Sequence, residues 1–203
     1  MNVLVACEFS GTVRDAFIRA GHDAVSCDLL PSESAFGPHI QGDAVEAVRS
    51  KVWDLIVMHP PCTYFSLAGN RWLHGKYREQ RLADRDEALG FVRALIEAAG
   101  DTPWAIENPL GTLSSLWRKP DQIINPFDYG DPSRKPTCLW LQSLPPLIKT
   151  GPLVEAEIVT IGGKRYPKWH ADSFNLQGEE RRKVRSMFFV GIANAMAAQW
   201  GAR

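Results

Sequence analysis

Short apolar runs alternate with stretches of helical periodicity through the first half of the chain. Residues 2–7 (NVLVAC) form the first run, and residues 12–20 follow with apolar side chains at helical spacing. The same patterns predict strands at 23–27, 54–58 and 104–106 and helices around 45–48 and 82–99. Strands separated by helices favour parallel pairing with right-handed crossovers. The pattern therefore predicts an α/β fold built on a doubly wound parallel sheet.

The second half of the chain has weaker patterns. Residues 137–141 (TCLWL) predict a strand, residues 158–161 are compatible with another, and residues 178–200 predict a helical end broken near Gly191. Residues 145–178 are rich in proline, glycine and charge, which predicts a loop. A length of 203 residues and the absence of an internal repeat predict a single domain.

Charge and composition narrow the class of protein. The chain has 23 Lys+Arg and 23 Asp+Glu, so its formal net charge is zero and a site for a polyanion must be a local patch. A hydrophobic content of 45% is typical of a globular protein and excludes a disordered chain. Apolar runs stay well below the roughly 20 residues of a membrane span, and the amino terminus does not resemble a signal peptide. We expect a cytoplasmic protein without a membrane partner.

Cysteine spacing disfavours a metal centre. The cysteines stand singly, at Cys7, Cys27, Cys62 and Cys138. Without a C-x-x-C pair, the usual signatures of zinc clusters and thioredoxin-like redox sites are missing, and His170 with Asp172 has no further ligand at suitable spacing. We expect free thiols and no metal.

Polar residues follow several of the predicted strands. In parallel sheets, ligands bind outside the carboxyl ends of the strands. Those ends carry residues 8–11, Asp28, residues 59–62 and residues 107–109. We therefore expect the functional site at this edge of the sheet.

Cys62 and Glu107 are the strongest candidates for chemistry. Pro60 and Pro61 place Cys62 on a rigid turn beyond its strand, where a thiol can act as a nucleophile once deprotonated. The alternative is a loop cysteine packed beneath the proline turn. Glu107 follows the apolar residues 104–106, so we expect a desolvated, protonated acid whose side chain converges with Cys62.

Two segments carry a family resemblance. PPCTYFSLAG (residues 60–69) and AIENPLG (residues 105–111) resemble motifs four and six of the cytosine-5 DNA methyltransferases. ACEFSGTVRDAF resembles that family's cofactor motif, SRKPTCLW its basic motif eight and VGIANAMAAQW its last motif. The resemblance implies a Rossmann-like fold of the S-adenosylmethionine-dependent methyltransferases. It also implies S-adenosylmethionine as cofactor, held by Phe9, Ser10, Gly11, Asp28, Asp43, Pro60 and Asn194.

The resemblance implies a covalent reaction. In that family the cysteine adds to C6 of cytosine, which makes C5 nucleophilic enough to accept a methyl group. Carried over, Cys62 is the nucleophile, Glu107 the acid that bonds the base, and Arg134 a clamp on the base carbonyl or a phosphate. Arg14 is a possible substitute for a clamp on the cofactor's carboxylate, because the glycines of the cofactor motif are replaced here by Thr12 and Val13.

Substrate recognition is less well defined. Only about 40 residues separate motif eight from the final helix, too few for the family's target-recognition domain. This favours DNA methylation with relaxed specificity, and the size suits a phage gene by family analogy alone. RNA, a free pyrimidine nucleotide and a non-catalytic relic remain alternatives. Thymidylate synthases also display a Pro-Cys pair, but the amino-terminal cofactor motif and ENP disfavour that class.

Two basic segments are candidates for substrate binding. The first, residues 70–81, directly follows the nucleophile's loop and includes Asn70 and Arg71. The second interleaves Lys164, Arg165 and Lys168 with Tyr166 and Trp169, a mixture typical of surfaces that bind phosphates and stack bases. A solvated charged loop is the alternative interpretation of each segment.

Overall fold

The computed structural model describes residues 1–67, 75–151, 154–186 and 188–202, with the backbone alone at residues 179, 182 and 183. The strands are β1 (Asn2–Ala6), β2 (Asp23–Asp28), β3 (His39–Gln41), β4 (Leu55–Met58), β5 (Trp104–Pro109), β6 (Gln122–Ile124), β7 (Thr137–Gln142), β8 (Ile158–Ile161) and β9 (Lys164–Pro167). The helices are α1 (Thr12–Arg19), α2 (Ala44–Arg49), α3 (Arg78–Ala99), α4 (Leu113–Leu116), α5 (Lys168–Asp172), α6 (Gly178–Ser186) and α7 (Val190–Trp200), with a short 3-10 helix at Pro126–Tyr129.

A seven-stranded, mostly parallel sheet forms the centre of the α/β fold. Its strand order is β3-β2-β1-β4-β5-β7-β6. The first five strands are parallel and follow the order of doubly wound, Rossmann-like sheets. The predicted parallel sheet is thus confirmed for these strands. Strand β7, for which the sequence pattern predicted no direction, runs antiparallel between β5 and β6.

Alternate residues of the central strands face opposite hydrophobic cores. Val3, Val5, Leu55 and Val57 pack with α1 and α7, while Leu4, Ala6, Ile56 and Met58 pack with α2 and α3. Continuous apolar runs are what a strand needs when both of its faces are covered. Helices on both faces leave the ends of the strands as the place where polar side chains reach solvent.

The carboxyl-terminal part contains elements that the loop prediction for residues 145–178 did not include. Strands β8 and β9 form an antiparallel hairpin, and α5 follows directly. The predicted helical end at residues 178–200 consists of two helices, α6 and α7. Among the helices in the described part of the chain, none has the length and apolar character that crossing a membrane requires.

Candidate active site

Three strands bring their polar residues to one place on the sheet edge. Met58 pairs with Ile106 in the parallel β4–β5 ladder, so the next residues, His59 and Glu107, are also neighbours. Because β7 is antiparallel, its first residue, Thr137, lies opposite Pro109 at the end of β5. The segment that enters β7 therefore reaches the same edge as the segments that leave β4 and β5.

The loop that carries Cys62 is fixed at its start by the ENP segment. Asn108, on β5, donates from Nδ2 to the Pro60 carbonyl at 2.8 Å. The Cys62 carbonyl then accepts the backbone amides of Phe65 and Ser66, each at 3.0 Å, which closes a tight turn. Cys62 is half-buried on this turn, beyond the strand, where the proline pattern predicted it.

Contacts further along hold the same loop against its surroundings. The Phe65 carbonyl accepts the amide of Thr112 at 2.7 Å, and a Cβ at Gly111 would overlap that carbonyl. Arg81 donates from Nη2 to the Thr63 carbonyl at 2.5 Å, with its guanidinium 4.4 Å from the centre of the Tyr64 ring. These contacts fix the conformation of the loop that carries the Cys62 thiol, and a fixed position is what a nucleophile would require.

Glu107 is nearly buried and held at both oxygens. His59 Nδ1 lies 3.1 Å from Oε2, and the Thr137 hydroxyl donates to Oε1. Burial raises the pKa of Glu107, but the hydrogen bonds from His59 and Thr137 and the charges of His59 and Lys135 outweigh it and hold the pKa below its ordinary value. Glu107 is therefore a carboxylate in the free protein. The expectation that desolvation keeps it protonated is wrong because its hydrogen-bond donors outweigh its burial.

The Cys62 thiol has the opposite electrostatic balance. Burial raises its pKa, and the negative charge of Glu107 raises it further. A backbone hydrogen bond and the positive charges of Lys135 and Arg185 oppose this rise without cancelling it. The thiol is thus the resting form, and Cys62 would have to lose its proton to act as a nucleophile.

Lys135 is a functional candidate that the sequence interpretation missed. Its ammonium group donates to the Arg185 carbonyl at 2.8 Å and lies 5.3 Å from the centre of the Trp169 ring. Burial lowers the pKa of Lys135, while the charges of Glu107 and Cys62 raise it. The motif SRKP contained this residue beside Arg134, but only the antiparallel entry into β7 shows which of the two faces Glu107 and Cys62.

Aromatic side chains cover the cavity beside Glu107. The cavity measures about 10 Å³ and is lined by Glu107, Lys135, Thr137, Phe188, Phe189 and Ile192. It is far smaller than a pyrimidine ring.

Arg134 lies on a different groove. Its exposed side chain lines a cavity of about 310 Å³ together with Arg165 of the hairpin, and the other lining residues are Pro136, Ile158 and Pro167. The Arg134 carbonyl accepts the indole N–H of Trp169 at 2.8 Å, which attaches α5 to the segment entering β7. The structure thus places two predicted cations together at a groove and puts Lys135, not Arg134, beside Glu107.

The other predicted substrate residues have mixed surroundings. Lys164 is exposed, whereas Lys168 is paired with Asp172 at 2.6 Å on the same helix. Tyr166 packs against Phe174, with ring centres 5.0 Å apart, so its face is partly used within the hairpin region. Asn70 and Arg71 lie outside the described residues.

At the carboxyl end of β1, charged groups bind the protein's own backbone. Glu8 is buried, and its carboxylate accepts the amides of Val13 at 2.7 Å and Arg14 at 3.1 Å at the start of α1. Gly11 has a left-handed φ of 76°, and a Cβ there would overlap the Arg14 guanidinium. The space beside this glycine is therefore filled by the protein itself.

Arg14 does not provide the expected carboxylate clamp. Its side chain is fully buried and pairs with Asp15 at 2.7 Å. It also donates to the Ser26 hydroxyl at 2.9 Å and to the Ser34 carbonyl at 3.1 Å. These partners connect α1 to β2 and to the loop that follows it, so the guanidinium is committed to the fold.

The carboxyl end of β2 offers hydrogen-bond acceptors that fit a nucleoside. Asp28 is half-buried, with Oδ1 accepting the Leu30 amide at 3.0 Å, and the neighbouring Leu29 side chain is 73% exposed. Asp43 is exposed and caps α2 through Oδ1. Carboxylates beside an exposed apolar surface suit ribose hydroxyls, an adenine amine and an adenine ring, so the residues fit the adenosine half of S-adenosylmethionine.

The remaining predicted cofactor residues are placed as follows. Phe9 and Ser10 are half-buried on the β1–α1 turn, and the Phe9 carbonyl accepts the Glu33 amide at 2.8 Å. Pro60 is buried at the end of β4. Asn194 lies on the exposed face of α7.

Comparisons with known proteins add no assignment. No protein-family model matches the chain, and a search of curated proteins finds no match. Among the described residues, no cluster of His, Cys, Asp or Glu could hold a metal ion. A functional proposal therefore depends on the geometry of the site and on the motif resemblance.

Proposed function

We propose that this protein transfers a methyl group from S-adenosylmethionine to C5 of cytosine in DNA through a covalent bond between Cys62 and C6. The observation that carries the proposal is the convergence of a rigidly held thiol and a buried carboxylate at the ends of adjacent strands. Lys135 joins them from the segment that enters β7. Cys62, Glu107 and Lys135 lie in the segments that resemble motifs four, six and eight.

Cys62 and Glu107 divide the chemistry between them. As Sγ bonds to C6, the Sγ–H bond breaks and its proton passes to solvent, the C5=C6 electron pair moves to C4=C5, and N3 takes up a proton as the C4=N3 bond opens. C5 thereby gains the electron density that an aromatic cytosine lacks. After C5 has gained the methyl group, its proton passes to water, the C5=C6 bond re-forms, and Sγ leaves as a thiolate. Glu107 is the group that faces N3 and the exocyclic amine, while the charge of Lys135 favours the thiolate over the thiol.

The β1–β2 end of the sheet would hold the cofactor. Bound there, S-adenosylmethionine supplies an electrophilic methyl group on a sulfonium. Asp28 would accept hydrogen bonds from the ribose hydroxyls, and Asp43 would accept one from the adenine amine. The Phe9–Gly11 turn would lie along the rest of the cofactor. Glu8 and Arg14 would hold this turn in shape from beneath.

The covered cavity favours a base presented outside a stack. Phe188 and Phe189 line the space beside Glu107, and a base inside a duplex cannot reach an atom at that depth. The base would be extruded, enter as these rings move, and be shielded from water once inside. Exclusion of water strengthens the charge interactions of Glu107 and Lys135 with the base.

A second candidate is the same chemistry on RNA or on a free pyrimidine nucleotide. It is favoured by the small hairpin region, where a duplex-reading domain would stand, because Lys168 and the aromatic rings there are engaged locally. The groove with Arg134 and Arg165 suits the phosphates of any of these substrates.

The test offers labelled S-adenosylmethionine with duplex DNA, single-stranded DNA, RNA and dCMP in parallel. We expect label at cytosine C5 in a DNA pool with the wild-type protein and none with Cys62→Ala. Label in RNA or dCMP alone would support the second candidate. No label in any pool from folded protein that binds S-adenosylmethionine would contradict the proposal and leave a non-catalytic binding protein.

A further inference from the structure

His59 is the one titratable side chain in hydrogen-bond contact with Glu107 among the described residues. It directly follows β4, and its Nδ1 lies 3.1 Å from Glu107 Oε2. Its side chain is 13% exposed, about as buried as the Glu107 side chain at 15%. The β4–β5 register fixes this pairing, because both residues follow a paired position of the ladder.

The other imidazole nitrogen is buried without a hydrogen-bond partner. Nε2 has no partner among the described residues, and the Phe188 ring packs against the imidazole with centres 4.8 Å apart. A buried polar atom without a partner is unfavourable, so its presence here calls for a reason. A carboxylate only accepts, so Nδ1 must donate, and Nε2 is the atom free to gain or lose a proton.

The proposed reaction requires a proton that Glu107 does not hold. N3 of cytosine takes up a proton as Cys62 adds to C6, yet Glu107 is a carboxylate in the free protein. The nearby charge of Lys135 favours that ionised form. The Thr137 hydroxyl is too weak an acid to replace the missing proton.

We propose that His59 is a positioning residue that shares one proton with Glu107 and supplies it for N3 of the base. The proposal rests on the proposed function. With the imidazole protonated, the Nδ1–H bond breaks as Oε2–H forms, and Oε2–H then breaks as N3–H forms. The Nε2–H bond remains, so the imidazole ends neutral. When Cys62 is eliminated, N3 returns the proton through Glu107, and the pair is restored without an outside acid.

Charged groups surround this pair from several elements. Glu107 faces His59 from β5, Lys135 approaches Glu107 from the segment before β7, and Cys62 follows on the loop after β4. Arg185 on α6 adds a further positive charge near Cys62 and Lys135. The charge of Lys135 disfavours protonation of Glu107 by itself, and His59 is the donor in direct contact with its Oε2.

The activity test compares His59→Asn with Thr137→Val. The asparagine amide still donates at the position of Nδ1 but carries no exchangeable charge, whereas Thr137→Val removes the other hydrogen bond of Glu107. We expect His59→Asn to lower methyl transfer about 100- to 1,000-fold, the range of general acid catalysis, and to remove the alkaline decline of the pH profile. Thr137→Val should lower the rate while keeping that decline. A wild-type rate and profile in His59→Asn would overturn the proposal.

A second measurement does not depend on activity. Nitrogen NMR of the His59 imidazole, recorded in wild type and in Glu107→Gln at one pH, should show a different Nδ1 signal in the variant, because the carboxylate that accepts its proton is gone. An identical Nδ1 signal in both proteins would refute a shared proton, even if His59→Asn fails to fold. If the signal differs while the wild-type protein methylates no pool, the pair stands and the proposed function fails.

Discussion

The two halves of the sheet edge use their polar residues differently. In the β1–β2 half, Glu8 caps α1 and Arg14 binds Asp15 and the loop after β2. In the β4–β5–β7 half, the Cys62 thiol is held in a rigid loop beside Glu107, and His59 keeps a nitrogen without a partner among the described residues. Glu8 and Arg14 in the first half stabilise the fold, while the second half leaves reactive atoms available.

This difference follows the strength of the motif resemblance. Motifs four and six are well matched, and their residues converge at the end of adjacent strands. The cofactor motif departs from the family form. There the Glu8 carboxylate accepts the backbone amide of Arg14, so these residues bind each other. A departure from a family motif can thus mark a position where the chain satisfies its own polar groups instead of a ligand's.

The largest expected effect is a loss of methyl transfer that distinguishes Cys62 from Cys7. Cys62→Ala should abolish methyl transfer while S-adenosylmethionine binding, measured by calorimetry, is retained, because the nucleophile and the adenosine site lie on different strands. Cys7→Ala is the matched control, since Cys7 is a half-buried thiol in the β1–β2 half, and should keep most of the transfer. Turnover in Cys62→Ala, or loss of cofactor binding in that variant, would contradict the separation of the nucleophile from the adenosine site.

A second variant tests whether the β1–β2 half is structural. Arg14→Met leaves Asp15 buried without its partner, so we expect the free energy of unfolding to fall by about 3–5 kcal/mol. Urea denaturation measures this change. Arg19→Met, on the exposed end of α1, is the control and should change stability little. A stable Arg14→Met protein with weakened cofactor binding would show that Arg14 serves the ligand after all.

A third prediction concerns the reactivity of Cys62. Lys135→Met should raise the pKa of the Cys62 thiol, because an opposing positive charge is lost, and Glu107→Gln should lower it. At a pH below the pKa, alkylation by iodoacetamide should slow by up to about tenfold in the first variant and accelerate in the second.

Mass spectrometry resolves this reaction from that of the other cysteines. Burial raises the pKa of Cys27 and of Cys138 to about 11, so both should react more slowly than Cys62. Alkylation rates that do not respond to either substitution would place Lys135 and Glu107 outside the thiol's electrostatic environment.

The smallest effect is expected on the hairpin. Arg165→Ala removes a cation from the groove shared with Arg134, so binding of single-stranded DNA should weaken and its logarithmic salt slope should decrease by about one. Lys168→Ala is the matched control, because Asp172 already pairs with Lys168. Equal effects of both substitutions would indicate that the hairpin is a solvated charged surface without a specific role in binding.

The sequence predicted the long, strongly patterned elements well. Strands β1, β2, β4, β5 and β7 and helices α1 and α7 lie within a few residues of their predicted positions, because their apolar residues face a core. The three-residue strands β3 and β6 lie at the two sheet edges, where little apolar pattern is needed, and were missed. Strand β9 (KRYP) was missed because its side chains are mostly polar.

The candidate site was partly predictable for a related reason. Cys62 and Glu107 carry sequence signals of their own, a proline turn and an acid that ends an apolar strand. His59, Lys135 and Thr137 become candidates only through tertiary pairing, namely the β4–β5 register and the antiparallel direction of β7. The protonation of Glu107 was mispredicted because its hydrogen-bond donors come from these same residues.

The central claim is the covalent bond between Cys62 and a cytosine ring. The most direct measurement incubates the protein with S-adenosylmethionine and DNA containing 5-fluorocytosine, whose C5 fluorine cannot leave as a proton does, and identifies the trapped peptide by mass spectrometry. We expect a stable adduct on the peptide that contains Cys62 and no adduct in Cys62→Ala. Methyl transfer to ordinary cytosine with no adduct, or an adduct on another cysteine, would contradict it.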